Sequence, residues 1–483
     1  MGGRWAGSNS GTKGEDVMRI ERDSLGEVPV PEDVLYGAQT ARAVGNFPIS
    51  GLCPHRDLIV AVALIKLAAA EVNHAAGRLA DDQARAIIQA AREVADGQWH
   101  DHFVVDPFQA GAGTSHHMNT NEVIANRANE ILGGQRGAYE YVHPNDHVNL
   151  GQSSNDVIPT ASRLALLRAT PRLVEAFRRL EQAFREKAAE FAHLTKTGRT
   201  HLQDAVPVRL GDEFSGYARA MGRAADRIEQ ASRALTALNL GATALGTGMN
   251  AFRGYREQVA ARLSTLTGFD LHPAENTFEI TQSHADFAHL SGSIRNAALE
   301  VNRIANDIRL LGSGPRAGLA EIILPPVQPG SSIMPGKVNP SIAEMVNMVS
   351  FQVIGFDHTV SLAVQAGQLD LNVMTPVIVY NLLWSVDILS NALNIFRTRC
   401  IEGLRANEER LNELSEGSIA LATILTPVIG YARAAEVAKE SLASGRTVRE
   451  VVVAEGLLSE EEAADLLDPA RLAEPQDDDA NGC

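Results

Sequence analysis

The residues best suited to chemistry lie in one run, GSSIMPGKVNP, at positions 330–340. The run holds two hydroxyls, Ser331 and Ser332, with a cation, Lys337, and an amide, Asn339. Its glycines let the backbone approach a ligand closely, and its prolines exclude a continuous helix or a central strand. Hydroxyls, a point charge and a directional amide together suit carboxylate binding. The run predicts a mobile catalytic loop over residues 328–340; the alternative is a polar surface loop without chemistry.

A second polar segment, QSSND at positions 152–156, ends just before a helical pattern. Hydroxyls and backbone N–H groups at a helix N-terminus form a ready anion site. The alternative on composition is a simple N-cap. The segment GRTHLQD at 198–204 places His201 in a polar cluster before Pro207, although a lone histidine is more often structural than catalytic. His143 and His147 are interpreted as structural.

These segments together resemble the aspartase/fumarase superfamily, homotetrameric lyases that remove ammonia, water or an amine from a succinyl-type substrate to give fumarate. Further segments carry the same resemblance: 111–115 (GAGTS), 143–146 (HPND), 241–244 (GATA), 310–318 (LLGSGPRAG) and 367–374 (GQLDLNVM). The resemblance runs from about Arg19 to about Leu472. It implies an all-α, three-domain fold, a central bundle that forms a twenty-helix core in the tetramer, and active sites shared between subunits. It also implies chemistry that needs no metal and no organic cofactor.

The resemblance also implies a role for individual residues. Ser331 is expected to be the general base, as an alkoxide supported by loop N–H groups, and His201 is expected to pair with Glu344. The residues expected to bind the carboxylate that becomes the enediolate are Thr114, Ser153, Ser154 and Ser332. The residues expected to hold the other carboxylate are Thr200, His201, Lys337 and Asn339. Asn155 is expected to face the leaving group.

Local variants bear on the leaving group. Segments 111–115, 146–149 and 371–374 are similar to the members that release ammonia from L-aspartate, which is the leading hypothesis. Ser154 is instead the form found in the members that hydrate fumarate to L-malate, which is the alternative. His117 stands where both groups usually have asparagine, and it either alters the pocket for the leaving group or is a change without effect on substrate. A helical tetramer without activity, as in lens proteins of this superfamily, is a remote alternative.

Composition limits the class of protein. The 483 residues include 43 basic and 59 acidic side chains, a formal charge of −16, and no long basic run, which argues against nucleic acid or an anionic membrane as partner. Cys53, Cys400 and Cys483 are widely spaced and fit a reducing cytosol without a disulfide or a metal site, with Cys400 in the core. No signal peptide and no uninterrupted membrane-spanning stretch is predicted. The protein is expected to be cytoplasmic and to act on a small dicarboxylate.

Long helices are predicted to position these groups. Apolar residues recur every three or four positions in three stripes, and two further segments, 342–366 and 377–401, are apolar on most sides. The three stripes consist of Leu173, Phe177, Leu180, Phe184, Ala188 and Phe191; of Leu210, Phe214, Tyr217, Met221, Ile228, Leu235 and Leu238; and of Phe287, Leu290, Ile294, Val301, Ile304, Ile308 and Leu311. Five such helices predict an extended bundle that is too apolar for a monomer.

Five segments follow from this organisation. A disordered extension is predicted over 1–17, with Met18 as a second candidate start, and an N-terminal lyase domain over 18–155. A central helical bundle is predicted over 156–410, a small helical C-terminal domain over 411–472, and an acidic tail over 473–483.

Overall fold

A computed structural model describes residues 17–473 of the chain. Apart from Val17 and Ala473, the predicted N-terminal extension and the acidic tail lie outside the described residues. The three-domain division of the remaining chain stays a prediction.

Helices dominate the described residues, and the all-α fold class is confirmed. The helices are α1 Ala38–Asn46, α2 Arg56–Ala75, α3 Asp81–Ala95, α4 Thr114–Ile131, α5 Ser154–Glu190, α6 Leu210–Ser232, α7 Tyr255–Thr267, α8 Thr277–Gln282, α9 Ala285–Leu311, α10 Ser341–Gln365, α11 Thr375–Phe396, α12 Glu408–Glu416, α13 Thr426–Ile429, α14 Tyr431–Ser444, α15 Val448–Ala454, α16 Glu460–Leu466 and α17 Pro469–Leu472. The strands are β1 Met18–Asp23, β2 Gly26–Pro31, β3 Thr195–Thr200, β4 Gln203–Arg209, β5 Ala237–Leu238, β6 His272–Pro273, β7 Ile322–Ile323 and β8 Arg405–Ala406. They pair two by two, β5 with β6 in parallel and the other pairs antiparallel.

The chain divides into two compact units, each assembled from three separated segments. The first unit comprises the described residues up to Pro171, then Ile228–Ser293 and Gly355–Asp387. The second comprises Arg172–Arg227, Ile294–Ile354 and the described residues from Ile388 onward. The long helices α5, α6, α9, α10 and α11 contribute residues to both units.

The five long helices are the five that apolar periodicity predicts. All but one of the predicted stripe residues are buried; Ala188 is half-buried. The second stripe continues past the end of α6 at Ser232, so that Leu235 lies in a short 3₁₀ turn and Leu238 in β5. The apolar residues of this stripe therefore stay buried beyond the end of the helix. An apolar pattern indicates contact with a core, and it does not by itself specify the backbone geometry.

Aromatic side chains from the stripes meet in the core of the second unit. The Phe184 ring lies 6.0 Å from the ring of Phe214, 5.7 Å from that of Tyr217 and 6.3 Å from that of Phe396. Phe191 packs edge-on against Phe214 at 5.2 Å. Offset and edge-to-face packing of this kind is the favoured arrangement of aromatic pairs.

Two helical segments, Arg56–Ala75 and Thr375–Ile401, are long and apolar enough to cross a membrane by length and composition. Neither segment is an uninterrupted apolar stretch, because Lys66 lies within the first and Asp387 within the second. Within these segments 78% and 61% of the most apolar window is buried inside the protein, as in core helices.

Helix α10 keeps apolar side chains on its surface within a single chain. Met348 is 63% exposed, Phe351 59% and Leu362 49%. Several large apolar side chains exposed on one helix are typical of a contact between protein chains.

The hairpin of β3 and β4 is held by buried charges. Lys196 Nζ lies 3.0 Å from both carboxylate oxygens of Glu213 and 2.9 Å from Oε2 of Glu321. The Arg199 guanidinium lies 2.7 Å from Oε1 of Glu321. Because Glu321 is fully buried, its charge depends on both cations, and the pair of cations fixes the strand that leads to Thr200.

Replacing Glu321 by glutamine tests this anchor. The Glu321→Gln variant should lose about 3 kcal/mol of the free energy of unfolding, because the buried Lys196 and the half-buried Arg199 then face a neutral amide. Urea unfolding followed by circular dichroism measures the change. The matched control is Asp82→Asn, which removes an exposed ion pair with Arg85 and should cost about 0.5 kcal/mol or less. Equal losses in the two variants would contradict the anchoring role.

Candidate active site

The polar segment before α5 forms a capped helix N-terminus in the first unit. Ser153 Oγ accepts the N–H of Asn155 at 3.2 Å, and the N–H of Ser153 donates to Asp156 Oδ1 at 2.9 Å. Ser153, Ser154 and Asn155 are all half-buried, so their side chains remain accessible. The N-cap and the anion site are therefore compatible, because the cap uses the Ser153 oxygen as acceptor and leaves its O–H free to donate.

Asp156 ties this N-terminus to a second segment of the same unit. Its Oδ2 accepts the N–H groups of Gly241 at 2.9 Å and Thr243 at 3.0 Å. Burial raises the pKa of Asp156 to about 6, against the opposing effect of these N–H donors. Asn155 Nδ2 also donates to the Ala244 carbonyl at 2.8 Å, which leaves the other amide hydrogen and the oxygen of Asn155 for a ligand.

Thr114 is the first residue of α4 and is exposed. The turn before it has positive φ at Ala112 (57°) and Gly113 (71°), and Ala112 N–H donates to the Val373 carbonyl at 2.7 Å. The predicted segments 111–115 and 367–374 therefore meet in the first unit. The Thr114 hydroxyl itself donates to the Gly111 carbonyl at 3.4 Å.

A buried lysine that sequence reasoning missed lies behind Ser154. Lys66 Nζ is 2.7 Å from His117 Nε2, and His117 Nδ1 is 2.7 Å from Ser154 Oγ. Burial lowers the pKa of Lys66 and of His117 well below their usual values. The only signal in the sequence is a single lysine inside the otherwise apolar stretch of α2 from Leu58 to Ala70.

The second unit presents Thr200 and His201 at the tip of the β3–β4 hairpin. Both are exposed, and His201 has a φ of 56°. Glu344 is half-buried in the first turn of α10. Within residues 17–473 of the single chain, no hydrogen bond or ion pair joins His201 to Glu344, so their pairing stays a prediction.

Residues 328–340 form an irregular segment whose centre is exposed, as predicted for a loop and not for a buried element. Ser331 Oγ accepts the N–H groups of Ile333 at 3.2 Å and Met334 at 3.0 Å. Ser332 and Lys337 are exposed, and the Lys337 ammonium has no ion-pair partner in the described part of the chain. A hydroxyl with two N–H donors and an unpaired cation in the same loop can support a local negative charge.

Gly330 forms hydrogen bonds with Lys337 and Asn339 that close the base of the loop, which is called the neck. Its N–H donates to the Lys337 carbonyl at 2.8 Å, and Asn339 Nδ2 donates to the Gly330 carbonyl at 2.7 Å. A Cβ at position 330 would come within 2.5 Å of the Lys337 oxygen. The neck therefore requires glycine, and Asn339 has one amide hydrogen and its oxygen left for a ligand.

The predicted site residues fall into two sets. The first unit holds Thr114, Ser153, Ser154 and Asn155, and the second holds Thr200, His201, Ser331, Ser332, Lys337, Asn339 and Glu344. No group of three or more His, Cys, Asp or Glu side chains is placed to hold a metal ion anywhere in residues 17–473.

Other residues considered in the sequence have local roles. His143 Nδ1 accepts the N–H groups of Asn145 and Asp146, each at 3.3 Å, and His147 Nδ1 accepts the N–H of His143 at 2.8 Å. Cys400 is buried, and burial raises the pKa of its thiol to about 12. The prediction that Cys400 lies in the core is confirmed, and a structural role for His143 and His147 stays a prediction.

Comparison with known families confirms the resemblance. Residues 26–355 match the family described as Lyase, and residues 421–474 match the family described as Fumarase C C-terminus. The chain belongs to this lyase family.

Three curated relatives and one solved structure are similar over most of the chain. Proteins named aspartate ammonia-lyase from Bacillus subtilis and from Pseudomonas aeruginosa are 47% and 49% identical to it, covering 96% and 95% of this chain and 97% of each relative. A protein named fumarate hydratase class II from Thermosynechococcus vestitus is 48% identical, covering 92% of this chain and 95% of the relative. The crystal structure of fumarate lyase:delta crystallin from Brucella melitensis bound to cobalt superposes with a TM-score of 0.93 at 49% identity, covering 95% of this chain and all of that one.

The neck of the loop yields a test. The Gly330→Ala variant should lose lyase activity by about tenfold or more, because the methyl group forces the Lys337 carbonyl away and displaces the neighbouring Ser331. Activity is followed by the ultraviolet absorbance of the unsaturated product, and the melting temperature should change little because the loop is exposed. The control is Gly216→Ala in α6, where the added methyl meets no atom within 4 Å. Full activity in Gly330→Ala would show that the neck does not position Ser331.

Proposed function

We propose that this protein is an aspartate ammonia-lyase that converts L-aspartate reversibly to fumarate and ammonia by anti-elimination through an enediolate. The observation that carries this proposal is the pair of N–H groups, from Ile333 and Met334, that donate to Ser331 Oγ. The relatives named aspartate ammonia-lyase support the same conclusion, as do segments 111–115, 146–149 and 371–374.

The difficult step of such an elimination is removal of a weakly acidic proton from the carbon next to a carboxylate. The electron pair from the broken C–H bond passes into that carboxylate, which becomes a dianionic enediolate. Preorganised donors lower this barrier, and one donor is typically worth about 3 to 4 kcal/mol. When the enediolate collapses, the carbon–carbon double bond forms, the carbon–nitrogen bond breaks, and ammonia leaves with the bonding electron pair.

Ser331 acts as the base in this proposal. A serine hydroxyl removes a carbon-bound proton only when its alkoxide is stabilised. Two backbone N–H groups already point at Ser331 Oγ, and the Lys337 cation in the same loop adds a favourable charge. The alkoxide takes the proton and becomes neutral as the charge moves to the substrate carboxylate.

The other polar residues divide between the two ends of the substrate. The residues assigned to the enediolate are Thr114, Ser153, Ser154 and Ser332. Those assigned to the second carboxylate are Thr200, His201, Lys337 and Asn339. Asn155 is assigned to the leaving amine, and Glu344 to orienting His201. Hydroxyls, amides and one cation supply these roles without a cofactor.

A homotetramer with shared active sites is part of the proposal. The exposed Met348 and Phe351 of α10 support a contact between subunits. The acidic composition and the wide spacing of the three cysteines in the sequence support a cytoplasmic enzyme.

Hydration of fumarate to L-malate is the second candidate function. Ser154 favours it, as does the similarity to a class II fumarate hydratase at 48% identity. Both reactions pass through the same type of enediolate, so the base and the carboxylate-binding residues serve either one. The two differ in the group that leaves.

Product analysis distinguishes the two reactions. The purified protein is incubated with fumarate alone and with fumarate plus ammonium, and the products are identified by proton NMR. We expect aspartate only in the tube that contains ammonium. Malate in both tubes without aspartate would establish the hydratase instead, and the absence of any product would establish neither enzyme and favour the non-enzymatic alternative.

Subunit mixing tests the shared site. Ser331→Ala and His201→Ala chains carrying different tags are co-expressed, and oligomers that contain both are purified. Each variant alone should be inactive, and the mixed oligomers should recover part of the activity if the two residues meet across subunits. The control pairs Ser331→Ala with Lys337→Ala, which leaves every loop defective and should recover nothing. Inactive His201/Ser331 mixtures of verified composition would contradict a shared site.

A further inference from the structure

Three hydrogen-bonded side chains form a buried path from Lys66 to the candidate substrate-binding residue Ser154. Lys66 and His117 are 0% and 1% exposed, whereas Ser154 is half-buried. The path has two links of 2.7 Å, from Lys66 Nζ to His117 Nε2 and from His117 Nδ1 to Ser154 Oγ. The direction of these two hydrogen bonds decides what the Ser154 hydroxyl can offer a ligand.

Lys66 has three acceptors, as many as an ammonium group has hydrogens. Besides His117 Nε2, they are Asn149 Oδ1 and Gln152 Oε1, each at 3.0 Å. Both amides are held in this orientation by their own NH₂ groups. Asn149 Nδ2 donates to the Gln152 carbonyl at 3.2 Å, and Gln152 Nε2 donates to the carbonyls of Val148 and Leu150. The two amide oxygens therefore face Lys66 and cannot be exchanged for nitrogens without losing these bonds.

The proton shared by Lys66 and His117 is assigned to the lysine. The ordinary pKa of a lysine exceeds that of a histidine by about four units, and burial acts against the charged form of both. The nearby Asp156 carboxylate favours a cation at Lys66, and His116 is the other titratable group close to His117. Lys66 as an ammonium donates to His117 Nε2, so the imidazole proton lies on Nδ1 and is donated to Ser154 Oγ.

We propose that Lys66 and His117 are positioning residues that fix the Ser154 hydroxyl as a hydrogen-bond donor toward the substrate carboxylate. Ser154 Oγ has no other partner in residues 17–473, and its acceptor side is filled by His117. Its own hydrogen must therefore point away from the imidazole. In the opposite arrangement Ser154 would donate to His117 and present only lone pairs, which repel a carboxylate. The inference rests on the proposed function, because Ser154 is assigned there to the enediolate.

Neutron diffraction on crystals exchanged into deuterium oxide tests the proton positions directly and without any assay. We expect deuterium on His117 Nδ1 and three deuterium atoms on Lys66 Nζ. Deuterium on His117 Nε2 with none on Nδ1 would overturn the inference, whatever reaction the protein catalyses.

Kinetics test the consequence once the wild-type protein has been shown to turn over aspartate. His117→Phe and Lys66→Met should each lower kcat by about tenfold or more, with a change of less than about threefold in KM, because the donor matters most when charge builds on the carboxylate. His117→Asn should retain most of kcat, since its amide N–H can take the place of Nδ1–H. If His117→Phe does not fold, Lys66→Met still tests the inference, because it removes the buried charge at nearly constant side-chain volume.

A double-mutant cycle and a matched control complete the test. Adding His117→Phe to Ser154→Ala should cause little further loss, because His117 acts through that hydroxyl. The inference would be overturned if the loss of kcat in the double variant equalled the product of the two single losses. A wild-type kcat in His117→Phe would also overturn it. The control is His116→Phe: this neighbouring histidine is equally buried, yet neither of its ring nitrogens has a hydrogen-bond partner in the described chain. A wild type that does not turn over aspartate would refute the proposed function and leave the proton positions as a separate result.

Discussion

The burial of Asp156 is the constraint on which the first half of the candidate site depends. A carboxylate removed from water is costly unless its oxygens accept hydrogen bonds. Asp156 meets this demand with N–H groups from Ser153, Gly241 and Thr243, which come from two distant parts of the sequence. The start of α5 is therefore fixed against the 241–244 segment, and the same charge stabilises Lys66. The accessible hydroxyls of Ser153 and Ser154 have well-defined positions because the hydrogen bonds of the Asp156 carboxylate hold the start of α5 in place.

The second unit also depends on a buried carboxylate, but its partners are cationic side chains and not backbone N–H groups. Glu321 is buried and is neutralised by Lys196 and Arg199, and this group anchors the hairpin whose tip carries Thr200 and His201. In both units the exposed polar residues make few contacts of their own. Their positions derive from buried ion pairs and backbone N–H groups behind them, which leaves their donors free for a ligand.

Those parts of the fold could be predicted from the sequence in which a single local property, such as apolar periodicity or glycine and proline content, determines the structure. The stripe that includes Phe177 and Phe184 identifies α5, because an amphipathic helix repeats its apolar face every three or four residues. The glycines and prolines around Ser331 identify an irregular loop for equally local reasons. Lys66 could not be predicted, because its acceptors Asn149 and Gln152 lie more than eighty positions away and nothing near it in the sequence marks a polar pocket. The pairing of His201 with Glu344 stays a prediction, because no hydrogen bond or ion pair joins the two residues within the described part of a single chain.

The leaving group is the property least accessible from the fold, and the reason is chemical. Loss of ammonia and loss of water share the proton that is removed and the enediolate that is formed, so most of the site is common to both reactions. Selectivity must then arise from a few donors and acceptors near Asn155 and Ser154. The proposed positions of the protons on Lys66 and His117, which are buried behind Ser154, set whether its hydroxyl donates or accepts. Heavy-atom positions are nearly the same for the two cases, because the two arrangements of the path from Lys66 to Ser154 differ only in where the hydrogen atoms lie.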